Sequence, residues 1–284
     1  MWLEFESLVN ARDVGGIQTP SGAVQPKRLI RSDNLQELTE ADLRQLENLG
    51  VTDVVDLRSH YEVHHEGPGP LQRNEKIRFH NHSFLPEQHD DDAPEAHNET
   101  IISDDAERRC TSDDAERPGT SDDAERPGQR LPWMDKKDAI KLQNPFASHY
   151  LGYIMDRPAS VVAALRGIAH ADGAALVHCA AGKDRTGTTV ALALSLVDAD
   201  RDQIVADYAA SSERMQKIVD RLLARETYRA GLEGRSLDSH MTRPESMFAV
   251  LEYIDTEWGG VPRLMEQLGW NAKDQAALQA KLLG

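Results

Sequence analysis

Short apolar runs alternate with longer amphipathic stretches along this chain. Runs at 28–31, 51–57, 77–84 and 174–178 are typical of strands, and the second and fourth are apolar enough to be buried on both faces. Leucines at helical spacing over 39–49, with Thr39 before them and Gly50 after them, predict a helix with an N-cap and a glycine stop. This alternation of strands and helices indicates an α/β fold.

The second half of the chain is predicted to be mostly helical. A helical pattern covers 145–171 with an interruption near Pro158, and 186–197 is so apolar that this helix should pack on more than one side. Thr242 to Glu245 fits a capping box at the start of another helix. Further helices are predicted over 202–210, 213–225, 261–269 and 272–283. We expect an α/β sandwich with a central, mainly parallel sheet flanked by helices and a helical C-terminal half.

Negative charge is concentrated in one segment. Residues 87–130 carry 15 acidic and five basic side chains and supply ten of the sixteen net negative charges. The unit Ser-Asp-Asp-Ala-Glu-Arg occurs there three times, starting at 103, 112 and 121, and the first copy is followed by Arg109-Cys110 where the others have Pro-Gly. A polar nine-residue unit cannot stack into a core. We expect a flexible acidic insertion at 87–132, either a tolerated surface loop or a docking segment, within a single domain spanning 1–284.

Composition argues against several classes of protein. A net charge of −16 does not suit a nucleic-acid or anionic-membrane binder, which needs a positive face. No apolar run reaches the ~20 residues that span a bilayer, and the acidic N-terminus lacks a standard signal peptide. Two cysteines in 284 residues are not a disulfide framework and fit a reducing compartment. A cytoplasmic location is therefore expected.

The stretch between the strand at 174–178 and the helix at 186–197 carries the chemistry. Five residues separate Cys179 from Arg185, a length that lets successive backbone amides converge on a tetrahedral anion. The same amides favour a thiolate at the cysteine, and Gly182 permits the curl. Arg185 can hold two phosphate oxygens at once. The Thr186 hydroxyl is expected to reach back toward the sulfur.

The motif at 178–187, His-Cys-x-x-Gly-Lys-Asp-Arg-Thr-Gly, resembles the signature of the atypical bacterial cysteine-dependent tyrosine phosphatases, known as tyrosine phosphatase family 3. Shorter stretches resemble the same family in the same order, at 10–13, 28–32, 53–59 and 204–208 and at Arg243 with Glu245. The resemblance covers nearly the whole chain apart from the insertion. It implies a phosphatase-type α/β sandwich.

The resemblance also implies a two-step reaction. Cys179 attacks phosphorus, Arg185 and the loop amides stabilise the transition state, and water then hydrolyses the phosphocysteine. The substrate-binding residues that it implies are Ala180, Ala181, Gly182, Lys183 and Thr186. The expected substrate is a phosphotyrosine protein or a phosphoinositide. No metal or other cofactor is expected, because Arg185 supplies the positive charge.

The acid that protonates the leaving oxygen is less clear from the sequence. The tripeptide Trp-Pro-Asp, which carries this acid in many tyrosine phosphatases, is absent. Asp184 is favoured, since the family resemblance places an Asp beside the loop Arg. Glu87 and the Asp90–Asp92 run are the alternatives. Asp184 could also serve only to cap the helix or to orient Arg185.

Several further residues are predicted to support the loop. Lys183 adds a second cation, which appears in phosphatases that act on phosphoinositides or raises the local positive potential. His178 is expected to hydrogen-bond the loop backbone and to lower the cysteine pKa. Asp56 and Arg58, at the end of a buried strand, should form an ion pair that buttresses the loop. Asp13 is a candidate partner for Arg58.

The helices at 203–230 have two interpretations. In the family that this chain resembles, helices in this region cover the site as a lid, which would shield Cys179 from oxidation. An ordinary packed helix is the alternative.

The resemblance also leaves open export without a standard signal peptide. Two rival functions are sulfur transfer and phosphoprotein binding without turnover. Cys179 and Arg185, together with the spacing between them, argue against both.

Overall fold

The structure is a computed structural model that describes residues 1–67, 69–87 and 138–284. The predicted insertion therefore lies outside the described residues, apart from Glu87. The strands are β1 Arg12–Asp13, β2 Gln18–Thr19, β3 Gly22–Ala23, β4 Leu29–Ser32, β5 Val51–Asp56, β6 Arg78–Asn81 and β7 Ala174–His178. Within the described residues, no helix has the length and apolar character that crossing a membrane requires.

Most of the helices lie where the hydrophobic pattern predicted them, and α3 to α11 follow the undescribed segment. They are α1 Glu40–Asn48, α2 His60–Glu66, α3 Pro145–Asp156, α4 Pro158–Ala169, α5 Asp184–Leu196, α6 Arg201–Ala209, α7 Met215–Leu223, α8 Glu226–Leu232, α9 Pro244–Trp258, α10 Val261–Gln267 and α11 Ala272–Leu283. Short 3-10 turns lie at Pro70–Arg73, Ala210–Arg214 and Leu237–His240.

The main sheet has the order β1-β4-β7-β5-β6. β4, β7, β5 and β6 are parallel, whereas β1 joins the edge of β4 in the antiparallel sense. β2 and β3 form a separate antiparallel pair. The expected α/β sandwich with a mainly parallel sheet is confirmed. β7 is the last strand of this sheet in the chain, yet it lies at its centre, so residues that follow it sit between the ends of β4 and β5.

The sheet buries both faces because its side chains alternate between two apolar layers. Val55, Val177 and Leu29 face the larger layer, which α3, α4, α5, α9, α10 and α11 complete. Val54, Leu176 and Ile30 face a smaller layer that includes Leu46 of α1. A third, separate cluster lies at α7 and α8. Two layers therefore fix the sheet, and the third cluster belongs to the helices over the end of β7.

The structure corrects one capping prediction and adds elements that the pattern missed. The capping box at Thr242 is wrong: α9 begins after Arg243 with no side-chain cap, and the Thr242 hydroxyl instead donates to the Ala209 carbonyl at 3.0 Å. The missed elements are the two-residue β1 and the short α2, both too brief to show a period. α2 carries a capping box in which the Ser59 side chain accepts from the Glu62 amide and Glu62 from the Ser59 amide.

Candidate active site

Residues 179–185, which we call the phosphate loop, follow directly from the central strand. β7 pairs with β4 so that His178 lies opposite Ser32, and with β5 so that His178 lies opposite Asp56. Cys179 is the next residue, and its side chain is 2% exposed. The carboxyl ends of three parallel strands therefore surround the cysteine, which is where an open α/β sheet binds ligands.

The loop carbonyls point into the protein. The Ala180 carbonyl accepts from the Asn34 amide at 3.1 Å, and the Ala181 carbonyl accepts from Asn10 Nδ2 at 2.8 Å. The Gly182 carbonyl accepts from Arg31 Nη2 at 2.8 Å. Because C=O and N–H point in opposite directions across a planar trans peptide, the amides of residues 181–183 face the other way. None of these amides donates to a described residue, so they form a nest for an anion.

Gly182 is required at its position. Its φ is +64°, in the left-handed region, and a Cβ there would lie 2.5 Å from the Ser32 carbonyl carbon. A side chain would thus collide with the backbone at the end of β4 as well as strain the turn. The loop and the strand are packed backbone against backbone.

A group of buried polar residues, which we call the sheet-side clamp, holds the carbonyl side of the loop. Its members are Asn10, Arg12, Arg31 and Asp207. Asn10, Arg12 and Arg31 are at most 2% exposed. Burial favours the neutral carboxyl of Asp207, but the charges of Arg31 and Arg12 prevail and lower its pKa below the ordinary value. The clamp ties α6 to β1 and β4 under the loop.

The guanidinium of Arg185 is held by Glu62. Arg185 Nη1 donates to Glu62 Oε2 at 2.6 Å and Nη2 donates to Oε1 at 2.9 Å, a two-pronged pairing. Glu62 is 1% exposed. Burial alone would raise its pKa, yet the positive charge of Arg185 keeps it below the ordinary value. Nη1 also donates to the Leu57 carbonyl at 3.3 Å. These contacts fix the plane of the guanidinium and leave Nε and the second proton of Nη2 for a ligand.

Asp56, Arg58 and His178 form a buried group beside the loop. Arg58 Nη2 donates to Asp56 Oδ2 at 2.6 Å, as expected for a buttressing ion pair. His178 Nδ1 lies 3.2 Å from the Cys179 carbonyl, which places the ring on the loop backbone as predicted. Burial lowers the pKa of His178 to about 4, so the ring is neutral at pH 7 and Arg58 is the charged partner of Asp56.

Two other expectations about supporting residues are wrong. Asp13 does not contact Arg58: its carboxylate accepts from the amides of Gly15 and Lys27. The reason is the sheet order: β4 and β7 lie between β1, which carries Asp13, and β5, which Arg58 follows. Thr186 Oγ1 does not reach the sulfur; it is buried and has no hydrogen-bond partner in the described part of the chain.

Lys183 and Asp184 stand at the mouth of the loop. Lys183 Nζ donates to the His240 carbonyl at 2.8 Å and lies 3.6 Å from Asp184 Oδ2. Asp184 is the first residue of α5, and its side chain is 27% exposed. Tyr150 donates to Asp184 Oδ1. Neither Tyr150 nor Glu62 was predicted as a site residue, although the Ser59-x-x-Glu62 spacing is typical of a capping box and could have drawn attention to Glu62.

The alternative acids lie elsewhere. Glu87 Oε1 accepts from the His60 amide at 3.0 Å, at the start of α2. Asp90–Asp92 fall outside the described residues, as does Cys110. Among residues 1–67, 69–87 and 138–284, no group of three or more His, Cys, Asp or Glu side chains is arranged to hold a metal ion.

Helices α7 and α8, which we call the cover helices, pack over one edge of the loop. Met215, Ile218 and Tyr228 join Ala180 of the loop in the third apolar cluster. At the outer edge, ion pairs connect Arg221 to Asp33 and Arg225 to Glu66. The segment predicted as lid or packed helix therefore does contact the phosphate loop.

Comparison with known proteins places this arrangement in a family. The model of a tyrosine phosphatase family matches residues 3–284. The triple specificity protein phosphatase PtpB of Mycobacterium tuberculosis is 32% identical over 99% of both chains. A putative tyrosine-protein phosphatase of Cupriavidus necator is 27% identical over 91% of this chain and 81% of its own. The resemblance seen in the sequence is confirmed: the chain belongs to the tyrosine phosphatase family and is a protein-tyrosine phosphatase.

Proposed function

We propose that Cys179 is the nucleophile of a phosphomonoester hydrolysis that passes through a phosphocysteine. The observation that carries this assignment is the set of donors in the loop that begins at Cys179: the amides of residues 181–183, which donate to none of the described residues, and the guanidinium of Arg185. Both are fixed before substrate arrives, the amides by their clamped carbonyls and the guanidinium by Glu62. Donors fixed in this way stabilise the charge that builds up on the equatorial oxygens. Thr186 and the amide of Ala180 complete the proposed substrate-binding set.

Asp184 is the proposed acid for the leaving oxygen. It is adjacent to Arg185 in the chain and partly exposed at the loop mouth, so a bound phosphomonoester can reach it. Glu87 is less suitable because its carboxylate caps the start of α2. In the second step the same carboxylate takes a proton from the attacking water.

We further propose that the enzyme accepts phosphoserine, phosphothreonine and phosphoinositides besides phosphotyrosine. Support comes from Lys183, a second cation at the loop mouth. Among the described residues, its ammonium contacts only the His240 carbonyl and Asp184 Oδ2. The PtpB relative is itself named a triple specificity phosphatase. A second cation favours substrates that carry additional phosphates.

The two halves of the chain are proposed to form one phosphatase domain across the insertion. β4, β5 and β6 precede the undescribed segment and β7 follows it, yet β7 pairs with both β4 and β5. Neither half holds the complete sheet alone. In the chain, the insertion would then interrupt this domain between β6 and α3.

The mechanism is tested by initial rates on a phosphotyrosine peptide, with chelator and without added metal. Cys179→Ser is expected to abolish turnover, while Cys110→Ser, the same change at the other cysteine, should leave it intact. Trapping a phosphoenzyme on Cys179 by rapid acid quench would identify the intermediate. Residual turnover in Cys179→Ser, or a metal requirement, would contradict the assignment.

Substrate breadth is tested with Lys183→Ala. Its kcat/KM should fall by about 10-fold or more on a monophosphoinositide and by less on the phosphotyrosine peptide, because the lipid headgroup offers more negative charge. Lys273→Ala, on an exposed residue of α11, is the charge-matched control. An equal loss on both substrates would assign Lys183 to general attraction only.

A further inference from the structure

A chain of buried hydroxyls ends on the proposed acid. Tyr150 of α3 donates its hydroxyl proton to Asp184 Oδ1. Its oxygen lies 2.8 Å from the hydroxyl oxygen of Tyr208 on α6. Both tyrosines are 1% exposed. Two buried tyrosine side chains therefore hold the Asp184 carboxylate in place.

The two rings are fixed in place. Tyr208 meets Tyr150 edge-on at 5.9 Å between centroids, and Tyr153 stacks on Tyr150 at 6.0 Å. Gly187 of α5 makes room for this arrangement, since a Cβ there would lie 2.8 Å from the Tyr208 ring. Asn144 caps the start of α3 by accepting from the Ala147 amide. The Tyr150 hydroxyl thus has little freedom to leave Asp184.

The protons in this chain can be assigned. Burial raises the pKa of Tyr150 and of Tyr208 above the ordinary value, so both hydroxyls keep their protons. Tyr150 has one proton and gives it to Asp184, so Tyr208 is the donor between the two tyrosines. Asp184 Oδ2 accepts no hydrogen bond from the described residues, and Lys183 Nζ is 3.6 Å away.

We propose that Tyr150 is a positioning residue for the leaving-group acid: its hydroxyl occupies Asp184 Oδ1 and leaves Oδ2 to carry the catalytic proton. This inference rests on the proposed role of Asp184. As the S–P bond forms and the bond to the leaving oxygen breaks, that oxygen takes the electron pair and the proton from Oδ2. Water then gives a proton to Oδ2 and attacks phosphorus, and the electron pair of the S–P bond returns to sulfur.

The proposal predicts a dependence on the leaving group. A phenol as weakly acidic as tyrosine, with a pKa of ~10, needs the proton as it departs. A strongly acidic nitrophenol leaves as the anion and does not. Loss of a residue that positions the acid should therefore lower kcat/KM mainly for the phosphate esters of weakly acidic phenols. General damage to the fold or to the loop would instead lower kcat/KM for all substrates alike.

The experiment compares kcat/KM over a series of aryl phosphates from phenyl to dinitrophenyl phosphate. Tyr150→Phe should lose about 10-fold on phenyl phosphate and less than about 2-fold on the dinitrophenyl ester. Asp184→Asn should lose about 100-fold or more on the former and far less on the latter. Tyr253→Phe, the same change on α9 where the ring packs against Trp258, is the matched control and should show no trend.

Each outcome is informative. A loss in Tyr150→Phe that is equal across the series would overturn the positioning role even if Asp184→Asn shows the trend. An Asp184→Asn variant without the trend would instead remove the acid assignment on which the inference rests. If Tyr150→Phe does not fold, as judged by its thermal midpoint, Tyr208→Phe replaces it. That variant removes the donor to Tyr150 and should show the same trend with a smaller slope; a flat response would also overturn the role.

Discussion

The phosphate loop has two neighbours, and they are built differently. The sheet-side clamp consists of hydrogen-bonded charges, with Asp207 between two arginines that are at most 2% exposed. The cover helices instead rest on a small apolar cluster and on ion pairs at its edge, including Arg225 with Glu37, a residue half-exposed to solvent. The clamp sets the loop geometry through buried charges. The cover can exchange for water at low cost only its outermost ion pairs, those with Glu37, because Asp33 and Glu66 are themselves nearly buried.

The largest effect is expected from breaking the clamp. Asp207→Asn leaves Arg12 and Arg31 buried without a counter-charge, which should lower the free energy of unfolding by about 3–5 kcal/mol. Asp202→Asn, on the exposed face of the same helix, should change it by less than about 1 kcal/mol. Urea unfolding measures both. Similar small losses in the two variants would mean that the clamp is not a stabilising unit.

The contrast between the two sides can be sharpened with a pair of glycines. Gly182→Ala forces a left-handed φ and a 2.5 Å backbone contact in the loop, while Gly234, after α8, has φ +76° and nothing near its Cβ position. Gly182→Ala should reduce kcat/KM by about 100-fold because the amides move. Gly234→Ala should cost about 1 kcal/mol of stability and little activity. If both variants lose only stability, the close approach at Gly182 is not what shapes the site.

The pH dependence of the free energy of unfolding tests two histidines, His178 and His82. Burial lowers the pKa of His178 and of His82 to about 4, below the 6.5 that an unfolded His has. Between these values the unfolded chain binds protons that the fold does not, so stability must fall as pH drops from 6.5 toward 4. Each His contributes up to about 1.4 kcal/mol per pH unit. Chemical unfolding at several pH values should show this slope, and His82→Gln should reduce it by one proton; an unchanged slope would refute the assignment.

The smallest effect on global stability is expected at the cover. Arg225→Ala removes its contacts with Glu66 and Glu37 and should cost about 1–3 kcal/mol, less than the loss of the clamp, because Glu37 is half-exposed while Glu66 is only 4% exposed. Hydrogen exchange in α7 and α8 should nonetheless accelerate by about 10-fold, and peroxide should inactivate Cys179 faster. Arg229→Ala is the control, since Arg229 contacts only the Leu223 carbonyl within the cover. Unchanged exchange in Arg225→Ala would show that the cover helices do not open at this edge.

The elements and the loop were predictable because their signals are local. Cys179, Gly182 and Arg185 are close in sequence, and each has a physical purpose in an anion-binding turn. The apolar runs that became β5 and β7 are short and buried on both faces, which the hydrophobic pattern shows directly. The helix over 39–49 has its cap and its stop within the same stretch. The prediction needed no knowledge of how distant segments pair.

Long-range partners were not predictable in the same way. Glu62 pairs with Arg185, and Asp207 pairs with two arginines near the N-terminus, but nothing in the local pattern connects them. Asp13 was proposed as a partner for Arg58 without any local signal that connects the two residues. The error follows from strand order, because β7 inserts between β4 and β5 and separates the two residues. The tyrosine hydroxyls behind Asp184 escape notice for the same reason: Tyr150 resembles any aromatic residue on a packed helix.

The central position of β7 also has a consequence for biosynthesis. Leu29 of β4 pairs with Ala175, and Val51 of β5 pairs with Ala174, so the contact order of this sheet is high. While the ribosome is still making the insertion, β7 does not yet exist. β4 and β5 therefore lack the strand that will lie between them and present unpaired edges. The nascent chain should therefore depend on chaperones until residues 174–178 emerge. Cys179, the proposed nucleophile, follows that strand directly, so a truncated chain that stops short of β7 lacks both the complete sheet and this cysteine.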